Sequence, residues 1–290
     1  MQLSIREAIP EDRQKLANLI HFEVYVHRHL DWRTALEWLG HQPYLVAEHE
    51  QEIIGALACP PDMPEIAWVR LFAAKSSPPL KDVWQALWEA GKAKLDALGH
   101  PVAAAIVMQG WFRSLLEESG FRHTDNIVVL LWENTTPLRA PENTALEIHR
   151  MLPEHLNGVY QLDNLAFEYE WRNSASALEM AYHQSAVATV VLEGEQIVGY
   201  QISTANVAGG HLARLAVHPQ ARGQGIGYAL VYHLLNEMQS RGINHVTVNT
   251  QQDNAASLAV YARAGFRQIE EQYQVYQYWV LPPGLVNSPP

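Results

Sequence analysis

Residues Arg222 to Gly227 read Arg-Gly-Gln-Gly-Ile-Gly, and a turn this rich in glycine can bring backbone N–H groups to bear on an anion. Without Cβ atoms the chain can pass through left-handed conformations and let a phosphate approach the main chain closely. The run before it, Leu212-Ala-Arg-Leu-Ala-Val217, closed by His218-Pro219, has the character of a strand. After it, Leu230, Val231, Leu234, Leu235 and Met238 recur at helical spacing, so the turn opens a helix. The N-terminus of that helix adds partial positive charge at the same point. Strand, glycine turn and helix together predict a diphosphate site.

Spacing narrows which diphosphate. A Walker loop ends in Gly-Lys-Ser/Thr, and no lysine is present here. A dinucleotide fingerprint counted from Gly223 needs glycine at 228, where Tyr228 stands, and an acidic residue about twenty positions on, which is absent. Downstream, His245 to Asn249 reads as a strand. Asn254 then opens a helix through Ser257 and Tyr261 to Gly265-Phe266. Asn254 and Tyr261 are two helical turns apart and share a face with Ser257 and Leu258. Asn254 is also a good N-cap, and a tyrosine on such a face ordinarily packs in a core.

In this order, the motif Arg222-x-x-Gly225-x-Gly227 and the Asn254-to-Phe266 helix resemble the acyl-CoA binding motifs of the GNAT acetyltransferase superfamily, over residues from about 145 to 280. The resemblance implies direct attack of an amine on the thioester of acetyl-CoA. It assigns pyrophosphate binding to Arg222, Gly223, Gln224, Gly225, Ile226 and Gly227, and pantetheine pairing to Leu215, Ala216 and Val217. Asn254 and Ser257 belong to the second cofactor motif, and Tyr261 donates to the leaving thiolate. A backbone N–H of the strand is implied to polarise the thioester carbonyl, where a dry site makes it most effective.

The general base departs from the family. Ribosomal-protein-alanine acetyltransferases carry a glutamate five residues before the motif asparagine, and here that position is Asn249, which takes no proton. Candidate groups on the acceptor side are Glu168 and Glu170, in Phe167-Glu-Tyr-Glu-Trp171, and His211 at the start of the strand. An α-amino group of pKa about 8 is already roughly a tenth neutral at pH 7, so water could serve as its base. A lysine near 10.4 would need a dedicated one.

The 290 residues carry a net charge of −11, which argues against nucleic acid as a partner. Both halves share the acidity: residues 1–140 hold 13 basic and 18 acidic residues, and residues 141–290 hold 7 and 13. The second half has no lysine, so arginine and backbone groups must supply its anion binding. Fourteen histidines form no metal-ligand spacing. One cysteine, Cys59, permits no internal disulfide and fits a reducing compartment as a small buried residue. No signal pattern or membrane-length apolar run is present, so a cytoplasmic location is expected.

The chain also reads as two copies of one pattern. Glu118-Ser-Gly-Phe-Arg122 and Val128 to Trp132 parallel Arg263-Ala-Gly-Phe-Arg267 and Val275 to Trp279. The expected architecture is two tandem GNAT-like domains of α/β (α+β) class, each a mixed, mostly antiparallel sheet flanked by helices. Their bounds are 1–135 and 145–283, with a linker at 136–144. In the first copy a Pro10-led helix, a second helix Asp31–Leu39 and a strand Ile66–Leu71 are expected. There the phosphate loop is replaced by Ala73-Ala-Lys-Ser-Ser-Pro-Pro79, without glycine and short of N–H donors, and Tyr261 by Leu116. The first half is therefore read as degenerate, with Trp84 and Trp88 packed in its core. The expected activity is acetyl transfer from acetyl-CoA, without a metal, to an amine-bearing small molecule or peptide, by a monomer or weak homodimer. A non-catalytic acyl-CoA-binding regulator is the alternative.

Overall fold

Two polar turns, Glu50-Gln51 and Gly194-Glu195, fold four apolar runs into two hairpins, and a sheet grows from each. Glu50, Gln51 and Gly194 all take the left-handed backbone that a tight hairpin demands. The computed structural model describes residues 3–134, 138–143 and 146–280. It divides the chain into unit 1, residues Met1–Asp125 with Tyr273–Pro290, and unit 2, Asn126–Gln272.

The first half of the chain runs β1 (Ser4–Glu7), α1 (Arg13–Phe22), β2 (Tyr25–Arg28), β3 (Tyr44–His49), β4 (Glu52–Ala58), β5 (Ile66–Trp68), β6 (Leu71–Ala74), α2 (Leu80–Ala97), β7 (Val102–Val107), α3 (Gly110–Glu118) and β8 (Arg122–Glu133). Strands β1-β3-β4-β6-β2 form one antiparallel sheet. Strand β5 pairs parallel with β7, and β7 antiparallel with Gln274–Tyr278 from the chain's last strand. Trp84 and Trp88 stack at 5.9 Å on α2, fully in the core, with Trp84 Nε1 donating to Ser119 Oγ at 2.7 Å. Cys59 is buried beside them, its thiol pushed up to about 12 by burial.

The second half runs β9 (Ile148–Arg150), α4 (Leu156–Ala166), α5 (Ala175–Gln184), β10 (Val187–Glu193), β11 (Gln196–Asn206), β12 (Gly209–Val217), α6 (Ile226–Ser240), β13 (His245–Gln251), α7 (Ala255–Arg263) and β14 (Arg267–Tyr278). Strands β9 to β12 are antiparallel neighbours, β12 pairs parallel with β13, and β13 antiparallel with Ile127–Glu133 of β8. Both units are mostly antiparallel sheet with helices, as expected from the sequence, but unit 1 divides its strands between the five-stranded antiparallel sheet and a separate β5–β7–β14 ladder. The repeat is physical as well: Gly55 on β4 and Gly199 on β11 occupy equivalent places. A Cβ would meet Val83 of α2 at 2.4 Å in one and Ile226 of α6 at 2.6 Å in the other.

Three expectations change. The halves are not self-contained, because β8 of the first half completes the sheet of unit 2 and the end of β14 joins the β5–β7 ladder of unit 1. Sequence repeats mark homologous segments, and strand pairing decides which core each segment joins. The helix expected at Asp31–Leu39 is only a 3-10 turn, Ala35–Trp38, since Asp31 is held instead by Trp38 Nε1 and Arg70. The strand expected at Ile66–Leu71 is two: Val69 donates to Ala104 and Arg70 to Ala58, so the chain changes sheets between them. Of the linker at 136–144, residues 138–143 are described and the others lie outside the described residues, as do 281–283. Arg139 O accepts from Tyr228 and Glu142 pairs with Arg263, so the described part lies along unit 2. No described helix is long and apolar enough to cross a membrane.

Candidate active site

Strand β12 carries a bulge that shapes the site. Ile202 faces Arg214 and Ser203 faces Leu212, leaving Ala213 as the extra residue. On its other side β12 pairs with β13 only from Gly210 to Leu212, opposite Val246 to Val248. Beyond that point β13 continues against β8 and β12 against β11, so the two strands part. His218 N–H donates to Val198 O, and antiparallel alternation then turns the amide of Ala216 toward β11. The same alternation turns the N–H and C=O groups of Leu215 and Val217 outward, into the opening between β12 and β13. Their side chains pack on the α6 side of the sheet, so packing and edge exposure coexist.

The glycine turn lies at the end of this strand. His218 Nδ1 accepts from Gln220 N–H, a 3-10 turn covers Pro219–Ala221, and Gly225 caps α6. Gly223 and Gly225 have φ of 81° and 83°, and a Cβ on either would meet no atom within 4 Å. The left-handed turn therefore borders open space, and the first-turn N–H groups of α6 have no helical acceptor. Gly227 is ordinary packing, with Val217 and Val260 at van der Waals distance. Residues 222–225 are exposed and Ile226 is buried. Arg222 Nη2 reaches Ala166 O at 3.3 Å on the surface beside the turn.

Helix α7 begins past the end of β13. Asn254 Oδ1 accepts from Ser257 N–H at 3.1 Å, so the asparagine is an N-cap. Tyr261 lies two turns on, its ring buried against Phe266 and the apolar residues beneath β12 and β13. Burial pushes its hydroxyl above the usual tyrosine range, and no described residue hydrogen-bonds to it. His211 is half-buried, with Nδ1 2.9 Å from Thr247 Oγ1, whose hydroxyl lies 3.5 Å from Gly210 O. Burial lowers its pKa. Leu212 packs toward α6, so by strand alternation His211, Thr247 and Asn249 share the opposite face.

The sequence reading missed what holds the segment that carries Glu168 and Glu170. Asp163, fully buried on α4, accepts from Arg214 Nε and Nη2 at 2.8 Å each, from Tyr200 Oη at 2.5 Å and from Asn173 N–H at 3.0 Å. Arg214 Nη2 also donates to Trp171 O at 2.6 Å, and its guanidinium lies 3.5 Å from the Phe167 ring centroid. Burial works against the Arg214 charge, yet Asp163 beside it keeps its pKa raised; burial and the same carboxylate hold Tyr200 in its neutral form. This cluster ties the turn Tyr169–Trp171 to β12 next to the bulge. Glu168 is exposed and Glu170 half-buried on that turn. An aspartate on an amphipathic helix gives no signal of its own; an arginine inside an apolar strand run does.

Residues 156–266, which contain α4 through α7, match the Acetyltransferase (GNAT) family. The chain is 32% identical over 92 residues to N-alpha-acetyltransferase 30 of Schizosaccharomyces pombe, covering 30% of this chain and 61% of that protein. It is 24% identical over 113 residues to a [Ribosomal protein bS18]-alanine N-acetyltransferase of Escherichia coli, covering 39% and 75%. The match thus spans less than two thirds of the first relative's length. A tandem GNAT protein from the clavulanic acid biosynthesis pathway superposes with a TM-score of 0.68 over 97% of this chain and 99% of the other. At 14% identity that likeness is one of fold.

Proposed function

We propose that unit 2 transfers acetyl from acetyl-CoA to an amine in a ternary complex. The observation that carries this is the parting of β12 from β13 at Leu212, which leaves the amide edges of Leu215 and Val217 unpaired beside a glycine turn. An extended amide-bearing arm can pair with that edge as an added strand. The N–H groups of Gly223 to Gly227, with Arg222 at the rim, then receive the pyrophosphate. Ala216 contributes its methyl group, and Asn254 and Ser257 shape the mouth of the opening.

The amine nitrogen bonds to the acetyl carbon, the carbon–sulfur bond breaks, and the departing thiolate takes a proton or a hydrogen bond. Tyr261 serves the thiolate. His211 is the group we assign to the amine's proton. Thr247 directs its hydrogen toward Gly210 O and so accepts from Nδ1–H of His211, which leaves Nε2 with its lone pair. Burial keeps that ring neutral at pH 7. Glu168 and Glu170 are assigned to attract the cationic acceptor, a small molecule or peptide amine. The hydroxyl of Tyr261 favours this reading over a non-catalytic acyl-CoA binder, which has no use for an acid.

Unit 1 is proposed to be non-catalytic. Its strand β6 corresponds to the end of β12, but Tyr25–Arg28 of β2 pairs along Leu71–Ala74 and fills the edge that Leu215 and Val217 leave open. Calorimetry with acetyl-CoA, followed by thiol release over an amine panel, tests both claims. One site per chain and release with at least one amine support them; two equivalent sites, or binding without release for any amine, overturn the corresponding claim.

A further inference from the structure

Past Val248, strand β13 has lost β12 from one edge and runs on against β8, Asn249 opposite Val129 and Gln251 opposite Ile127. Val246 and Val248 are buried beneath α6 together with Leu212, so alternation sends Thr247, Asn249 and Gln251 to the other face of the sheet. The contact of Thr247 with His211 lies on that face. Tyr261 packs with Val246 and Val248 on the α6 side. The opening between the strands therefore has two sides. The tyrosine that serves the thiolate is on one, and a stripe of neutral polar side chains is on the other.

Asn249 is the first member of this stripe beyond the point where the strands part. It is half-buried, and no described residue hydrogen-bonds to its side-chain amide. A carboxamide carries no charge and takes no proton from an ammonium, so Asn249 is not a base. It offers two N–H donors and an acceptor oxygen, which together match a hydroxyl that both gives and receives a hydrogen bond. An acceptor that brings such a group satisfies the amide, whereas an alkyl group in the same place strips water from it and returns nothing.

Reach sets where that hydroxyl must lie. Same-face neighbours on a strand are about 7 Å apart, so Asn249 stands one such step along β13 from Thr247, which holds His211. An amine whose proton goes to His211 brings an oxygen two or three carbons away within range of the Asn249 amide.

We infer that Asn249 determines acceptor specificity by hydrogen-bonding a hydroxyl two or three carbons from the amine, so that unit 2 acts on amino alcohols in preference to alkylamines of the same shape. The inference rests on the acetyl-transfer reading of unit 2 and narrows the acceptor class within it.

The test measures thiol release by the full chain with acetyl-CoA and three matched pairs: 2-aminoethanol with propylamine, 3-aminopropan-1-ol with butylamine, and 2-aminocyclohexanol with cyclohexylamine. The hydroxylated member should have the higher kcat/KM in at least one pair. Asn249→Ala should lower that preference about tenfold, chiefly by raising KM for the amino alcohol. Comparing variant with wild type cancels the different basicities of the paired amines. Asn249→Leu, which keeps the size of the side chain and removes its polar atoms, is the second variant, with the same expectation. Thiol release with no amine at all overturns the acetyl-transfer reading and this inference together. Release with other amines but with no amino alcohol, or a preference unaltered in a folded variant, overturns this inference alone.

Discussion

Arg214 on β12 meets Asp163 on α4 through two hydrogen bonds of 2.8 Å, and the same carboxylate takes a third from Tyr200. The pair joins the strand that offers the open edge to the turn that carries Glu168 and Glu170. Because both partners are out of water, neither can be removed alone without stranding the other. Asp163→Ala should cost about 3–5 kcal/mol of unfolding free energy, measured by urea denaturation. In whatever fraction folds, the acceptor's KM should rise more than the acetyl-CoA dissociation constant. Loss of stability below about 1 kcal/mol would show the cluster to be incidental.

Tyr261→Phe keeps the ring against Phe266 and removes only the hydroxyl. An ordinary tyrosine near 10 is already a weaker acid than a thiol near 8.5, and burial raises Tyr261 further. Full proton transfer is uphill, so the hydroxyl acts by hydrogen-bonding the developing thiolate. Turnover should fall about 10²–10⁴-fold with acetyl-CoA affinity nearly intact. Unchanged turnover with an accepted amine would return Tyr261 to core packing and favour a non-catalytic binder.

Two glycines separate binding from folding. Gly225 has positive φ and open space where a Cβ would go, so Gly225→Val brings local strain and a side chain in the path of the pyrophosphate. Calorimetry should show acetyl-CoA affinity weakened about tenfold or more. Gly199→Ala places a methyl 2.6 Å from Ile226 Cγ2, on the buried side of the sheet, and should cost about 1–3 kcal/mol of stability through overpacking. The reverse pattern in the two variants would remove the glycine turn from the binding site.

His27 makes unit 1 sensitive to acid. Its folded pKa of about 4 lies below the unfolded value near 6.5, so the unfolded chain takes up the proton first. The contribution is complete above about pH 6.5 and is lost as pH falls toward 4, by about 3 kcal/mol. Urea midpoints between pH 7 and pH 4 should fall accordingly, and His27→Phe should flatten the slope. An equal slope in the variant would assign the acid sensitivity elsewhere.

The sequence by itself determined the local pieces. The glycine turn, the helix after it, the Asn254 cap and the buried Trp84–Trp88 pair were legible because each depends on neighbours within one turn or one strand. Only the tertiary structure decided where β12 leaves β13, since a parallel register joins segments more than thirty residues apart. It also decided that β2 closes the corresponding edge in unit 1, that β8 and β14 complete each other's units, and that Asp163, Tyr200 and Arg214 converge. Residue type fixes what a backbone can do locally; sheet register, chosen by which apolar faces are buried together, fixes which edges stay open for chemistry.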